Sequence, residues 1–304
     1  MSVVEQKQLD PIAANPRKKT KSRMSRQRIK KLVWLIILQI IMTVVVITFL
    51  IPTLWMISSS LKHTNEVFVH PIVWFPEHPQ WKNYLKVFDV LPFMKFAWNT
   101  FIVTGLAVLG TVVSSIMVGY SFARLRWPGR KIFFALMIST MMLPEIVTLV
   151  PRFIEFRMLD WVDTLKPLIV PFWFATSALY IFLMHQFFRN IPMELEEAAL
   201  IDGANRFQIL TQILIPLCKP VIATIVVFSL IQHYNSFLEP LIYLNSMDNW
   251  TLALGIRAIN DSDLKNWELV FAAGTMMFIP VFMLFTFAQR YFVQGIALTG
   301  FGGR

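Results

Sequence analysis

Cysteine and charge are scarce in this chain, and each shortage removes a class of protein. Cys218 is the one cysteine among 304 residues, so no intrachain disulfide can form, and the count says nothing about an oxidising compartment. Charged residues make up 15% and hydrophobic residues 56%, with a mean hydropathy of +0.58. A soluble domain of this length needs far more polar surface. No G-x-x-x-x-G-K-S/T loop occurs, which excludes ATP hydrolysis by that route. His63, His70 and His78 share a proline-rich segment but lack H-x3-H spacing and a cysteine partner, so no metal site is expected. Ser58 to Ser60 have no hydrolase context. The net charge of +10 sits beside hydrophobic runs, which argues against a nucleic-acid partner.

What the chain has in abundance is apolar length. A helix crosses the hydrocarbon core with about 20 apolar residues. Segments 32–57, 96–122, 132–150, 168–188, 221–244 and 269–292 qualify, and unpaired backbone groups are not tolerated in lipid, so each is read as a helix. Pro52, Pro144, Pro240 and Pro280 are expected to kink them. The fold class expected is an all-α integral membrane protein with six transmembrane helices. The first run exceeds the 7–15 residues of a signal-peptide core and is read as a retained anchor. Nine Lys and Arg precede it between Arg17 and Lys31, and Arg124, Arg126, Arg130 and Lys131 join the second and third runs. Segment 58–95 is longer and holds only Lys62, Lys82, Lys86 and Lys95. The asymmetry predicts both termini in the cytoplasm, with 58–95, 151–167 and 245–268 outside. Residues 1–31 form a basic tail, disordered over 1–25 and in contact with anionic lipid. Residues 32–293 form the membrane domain and 294–304 a C-terminal tail.

The connection 190–216 differs from the others. Pro192 suits a first helical position, and Glu194, Glu196 and Glu197 suit the positive end of a helix dipole. Gly203 can end that helix in the left-handed conformation, and Asn205 with Gln208 fits a capping box for the next one. Phe207, Leu210, Ile213 and Leu214 predict an apolar stripe. Pro216 and Pro220 mark the return to the membrane.

Glu197-Ala198-Ala199, then Gly203, Ile213, Ile215 and Pro216, resembles the EAA loop of ATP-binding-cassette importer permeases, with Ile215 where the family has leucine. "SLKHTNEVFVHPIVWFPEHPQWKNY" (60–84), "MMLPEIVTLVP" (141–151), "FFRNIPMELEEAALIDGA" (187–204) and "YNSFLEPLIYL" (234–244) resemble the carbohydrate-uptake, maltose-type branch over roughly 32–304. The resemblance implies a cytoplasmic EAA coupling helix on which an ATPase subunit docks, through Glu197, Ala198, Ala199, Asp202, Gly203, Ala204 and Pro216. It implies a second permease subunit, an ATPase dimer and an extracellular solute-binding protein as partners. The chain itself is then a transport subunit without a cofactor or nucleotide site, ATP being used by the partner. The location implied is the bacterial cytoplasmic membrane and the solute a carbohydrate.

Two further regions are candidate sites. Ser229, Gln232, His233, Asn235, Ser236 and Glu239 fall within an arc of roughly 160° if 221–244 is one helix. That face either lines the translocation path or bonds neighbouring helices. The outer segment 245–268 is long for a link, and Asn260, Asp261, Asp263 and Lys265 are candidate contacts for the solute-binding protein, the resemblance implying that role. A stand-alone secondary transporter is the competing class, though neither internal repeats nor midplane charge sites are evident. A permease for a glycerol phosphate ester is the other alternative.

Overall fold

The computed structural model describes residues 26–261 and 266–300. Every regular element among them is helical. The chain divides into two units, Met1–Thr53 and Leu54–Arg304. In the first, the described residues belong to one helix, α1 (Arg26–Ser60), whose side chains from Leu32 to Leu50 are exposed. Thr43 and Thr48 donate their hydroxyls to the carbonyls of Gln39 and Val44, at 2.8 and 2.9 Å. The two threonine hydroxyls are thus satisfied within the helix, as a lipid surround favours.

The second unit is organised around α3 (Phe93–Arg124). α2 (Lys82–Val90) precedes it, and α4 (Arg130–Thr140), α5 (Glu145–Met158) and α6 (Ala178–Asn190) follow. A short loop helix α7 (Glu194–Ile201) leads to α8 (Arg206–Gln208), a π-helical turn (Ile209–Leu214) and α9 (Ile215–Leu217). α10 (Lys219–Tyr234), α11 (Leu238–Tyr243), α12 (Leu252–Asp261) and α13 (Trp267–Gly300) complete it. α3 packs on α6, α10, α12 and the 3-10 turn Val170–Phe174. Small residues permit this, because a missing side chain lets two backbones approach. A Cβ on Gly119 would lie 2.7 Å from Met184 Cβ and 3.2 Å from the His185 nitrogen. The Trp173 ring likewise fills the space beside Gly110.

Four described helical segments are long and apolar enough to cross a membrane: Lys30–Ser60, Phe93–Arg124, Lys166–Asn190 and Trp267–Phe287. The expected spans 132–150 and 221–244 are broken, and 168–188 is interrupted near its start. Segment 132–150 is not one helix, since α4 and α5 meet at 104°. Pro144 lacks the N–H that continues a helix and disfavours helical backbone at Leu143. Segment 168–188 begins as 3-10 turns, and Ala175 at φ 62° separates them from α6. Segment 221–244 breaks after Tyr234, so the single-helix arc expected across Asn235, Ser236 and Glu239 is not present. Pro240 has no N–H to offer the Ser236 carbonyl, and the Asn235 amide bonds back to Ile231 O at 2.9 Å. A second bend, of 79°, separates Arg206–Leu217 from α10.

Segment 245–268 is also not a loop through most of its length. A 3-10 turn (Met247–Asn249) leads into amphipathic α12, which buries Leu252, Leu254 and Ile259. The Phe96 ring occupies the space where Gly255 has no side chain. Asp163 fastens the start of this segment by accepting the N–H groups of Asn245 and Ser246 at 2.9 and 2.8 Å and the Ser246 hydroxyl. Those donors, Ser246 foremost, hold the Asp163 carboxyl down at about 2. The side chains of Asn260 and Asp261, together with Asp263 and Lys265, lie outside the described residues, as do the tail 1–25 and residues 301–304.

The α3–α6 crossing gives a controlled prediction. Gly119→Ala forces a methyl into that contact and lowers thermal stability in detergent by about 1–3 kcal/mol. Gly105→Ala, on the same helix with nothing within 4 Å, leaves the melting midpoint where it is or raises it. Equal midpoints for both variants would show that α3 and α6 do not meet there.

Candidate functional site

The loop helix α7 carries Glu194, Glu196 and Glu197 in its first turn, where the unpaired N–H groups favour negative charge. Pro192 lies before the helix instead of at its first position, and Met193 is the N-cap. The helix ends as the glycine suggests. Gly203 has φ +85°, its N–H donates to Leu200 O at 3.1 Å, and the Ala204 N–H donates to Ala199 O at 2.9 Å. This pair of bonds is the Schellman arrangement, which needs a left-handed residue at that position. Asn205 Oδ1 then accepts the Gln208 N–H at 2.9 Å, and Gln208 Oε1 accepts the Asn205 N–H at 2.8 Å, a complete capping box.

The two sides of the loop differ. Glu197, Ala198, Asp202, Gly203 and Pro216 are exposed, and Ala204 is half-buried. Ala199 is buried and packs with Ile191, Ile209 and Leu210, so its small size serves the inner contact and not an outside surface. The expected apolar stripe is split as well. Leu210 and Leu214 are buried, whereas Phe207 is 73% exposed and stands on the outer side with Ile201 at 86%.

The inner side is bolted by charge. Arg124 at the end of α3 and Glu196 of α7 form an ion pair of 2.9 Å with side chains 7% and 0% exposed. The Arg124 guanidinium also donates to the carbonyls of Phe188 and Ile191 at the end of α6, where helix carbonyls run short of intrahelical donors. Arg206, at the start of α8, reaches the other Glu196 oxygen at 3.6 Å. One carboxylate thereby joins α7 to α3 and α8, and one guanidinium joins α3 to α6. The sequence reading counts Arg124 only towards topology and Glu196 only towards the helix dipole. Neither the pairing nor its burial is local in sequence.

The polar set of 221–244 separates into two groups. Ser229 and Asn235 bond to carbonyls of their own helix, Val226 and Ile231. Gln232, His233, Ser236 and Glu239 line a cleft of about 290 Å³ with Glu145. Tyr180 donates to the Gln232 amide oxygen at 3.2 Å, and His233 stands 4.3 Å from the Phe172 ring. Arg152 of α5 joins the carboxylates on either side, Glu239 at 3.2 Å and Glu145 at 3.3 Å. The breaks at Pro144 and Asn235 bring these groups together. Glu145 and Arg152 are further members the sequence reading did not single out, although a charge beside a proline within an apolar run is a signal in itself.

Comparison with known proteins accords with this arrangement. The family of binding-protein-dependent transport system inner membrane components matches residues 113–298. The sulfoquinovosyl glycerol transport system permease protein SmoH of Agrobacterium fabrum is 30% identical over 86% of this chain and 92% of that protein. The diacetylchitobiose uptake system permease protein NgcG of Streptomyces coelicolor is 29% identical over 83% of each. A chain in the crystal structure of a bacterial ABC transporter involved in the import of the acidic polysaccharide alginate superposes with a TM-score of 0.76. It is 25% identical, covering 88% of this chain and 98% of that one. The chain belongs to the family of binding-protein-dependent transport system inner membrane components. It is a multi-pass permease subunit of an ATP-binding-cassette importer.

The buried pair and an exposed one should respond differently to truncation. Glu196→Ala leaves Arg124 buried and uncompensated and costs about 3–5 kcal/mol. Lys95→Ala removes the exposed Lys95–Asp248 pair, whose side chains are 49% and 81% exposed, and costs less than about 1 kcal/mol. Thermal unfolding of the purified variants measures both, and equal losses would contradict the burial of Glu196.

Proposed function

We propose that this permease subunit moves a carbohydrate into the cell across the bacterial cytoplasmic membrane by alternating access, driven by ATP hydrolysis in separate ATPase subunits. The observation that carries the reading is the two-sided loop 190–216. Its outer side offers Glu197, Ala198, Asp202, Gly203 and Pro216 to a partner, while Glu196 on its inner side is held by Arg124. A push on such a loop is delivered to α3 and α6 instead of being absorbed by loop flexibility. Ala199 and Ala204 support the docking surface from within. Ile201 and Phe207 add apolar anchors to an otherwise acidic surface.

In this reading the membrane is crossed six times, each bent pair counting as one span, with both termini in the cytoplasm. Residues 1–31 form the basic tail, 32–293 the permease domain and 294–304 the C-terminal tail. A second permease subunit completes the translocation path, and an ATPase dimer docks on the loop. A solute-binding protein delivers the solute from outside, with Asn260, Asp261, Asp263 and Lys265 as its contact. Gln232, His233, Ser236 and Glu239 face the path, with Ser229 and Asn235 in supporting positions on the same helix and turn. Amide, imidazole, hydroxyl and carboxylate groups lining one cleft suit the many hydroxyls of a sugar. The relatives named for a sugar glycerol conjugate and a chitobiose derivative support the same class of solute.

Copurification and uptake test the reading together. The chain copurifies with an ABC ATPase, and solute uptake by the reconstituted complex depends on ATP. Glu197→Lys reverses the outer charge and Gly203→Pro forbids φ +85°, so both abolish uptake while the chain remains inserted. Gln232→Ala keeps the ATPase bound but changes uptake or solute preference. Normal uptake in the two loop variants would remove the coupling assignment, and normal uptake with unchanged preference in Gln232→Ala would move the path to the partner permease.

A further inference from the structure

We infer that the basic cleft between the end of α3, the start of α4 and the end of α6 binds the phosphodiester headgroup of an anionic membrane phospholipid. Arg130, Lys131 and Arg189 line a cleft of about 390 Å³ together with Phe122, Phe134 and His185. A second cleft of about 440 Å³, lined by Arg126, Trp127 and Gly129, shares Arg130 and Lys131 with the first. Four cations thus surround two adjoining hollows, and no carboxylate lines either one. Among the described residues, none of the four makes an ion pair, and Arg130 alone donates a side-chain hydrogen bond, to Leu125 O at 2.8 Å.

Like charges gathered without a counter-charge repel, and an anion seated among them relieves the repulsion. Two other features mark the cleft as unfilled by protein. His185, 6% exposed, lines it with Nδ1 lacking any hydrogen-bond partner. Gly129, the N-cap of α4, brings no side-chain acceptor to the first turn of an 11-residue helix, leaving that end favourable to an anion.

A lipid, and not a free anion, fits what lies beside the charges. α4 continues from the cleft with Ile132, Phe133 and Leu136 exposed at 67%, 57% and 56%. Acyl chains can lie along these residues while the phosphate occupies the cations. The Trp127 ring stands at the same level, as interfacial aromatics do. Basic hollows between membrane helices are suited to lipid headgroups in this way. The site is independent of which solute is carried.

Native mass spectrometry of the purified full-length chain, titrated with phosphatidylglycerol or phosphatidylcholine, tests the inference. The parent retains phosphatidylglycerol in preference to phosphatidylcholine. Lys131→Gln/Arg189→Gln lowers that retention on the order of tenfold or more, the loss expected for two headgroup charges. Lys82→Gln/Lys86→Gln, which removes two exposed charges from α2, leaves retention unchanged, and Lys131→Arg keeps it. Inorganic phosphate at the same concentration does not displace the lipid. Equal retention by Lys131→Gln/Arg189→Gln and parent overturns the site. Equal binding of phosphatidylcholine overturns its preference for an anionic headgroup, and displacement by inorganic phosphate overturns its assignment to a lipid.

Discussion

The ion pair between Arg124 and Glu196 is the constraint on which the geometry of the loop 190–216 depends. A buried ion pair of this kind is not a large source of stability, because desolvation offsets most of the attraction. What it supplies is position. Arg124 also donates to carbonyls at the end of α6, so moving α7 away from α3 would leave two buried charges unpaired while the guanidinium stays fixed to α6. The loop is therefore stiff on its inner side although its outer side consists of short helices and turns. Arg206 adds a second cation to the same carboxylate and carries the constraint on to α8.

Small residues and broken helices distribute the consequences. Gly110 and Gly119 let α3 lie against Trp173 and α6, so the helix that holds Arg124 is also the hub of the bundle. The interruptions at Pro144 and Asn235 free backbone from regular helix where polar side chains converge. Irregular backbone within a membrane domain is tolerated where it lines a cavity. The cleft holding Glu145, Gln232, His233, Ser236 and Glu239 lies at such a place.

Local chemistry was legible in the sequence, and non-local chemistry was not. The left-handed Gly203 and the Asn205–Gln208 capping box follow from side-chain type at fixed short spacing, and both are present. The apolar runs announce helices equally well. Two of the breaks fall beside Pro144 and Pro240, which the sequence marks as kinks, whereas Pro52 and Pro280 lie inside the continuous helices α1 and α13. α12 was read as loop because mixed charges and two tryptophans obscure its buried face of Leu252, Leu254 and Ile259. The resemblance places Ala199 on the docking surface, yet helix phase turns its side chain into the core. Arg124 and Glu196 are 72 residues apart, and nothing in either neighbourhood names the other.

The account's central claim is that the outer side of α7 is where the ATPase docks. Cys218 is buried, so a cysteine introduced at exposed Ala198 is the reactive one. The decisive measurement is site-specific cross-linking of Ala198→Cys to the ATPase subunit in the assembled importer, read by gel shift. The account predicts a cross-linked permease–ATPase product whose yield changes when ATP is bound. An assembled, transporting complex in which Ala198→Cys reacts freely with solvent reagents and never joins the ATPase would contradict it.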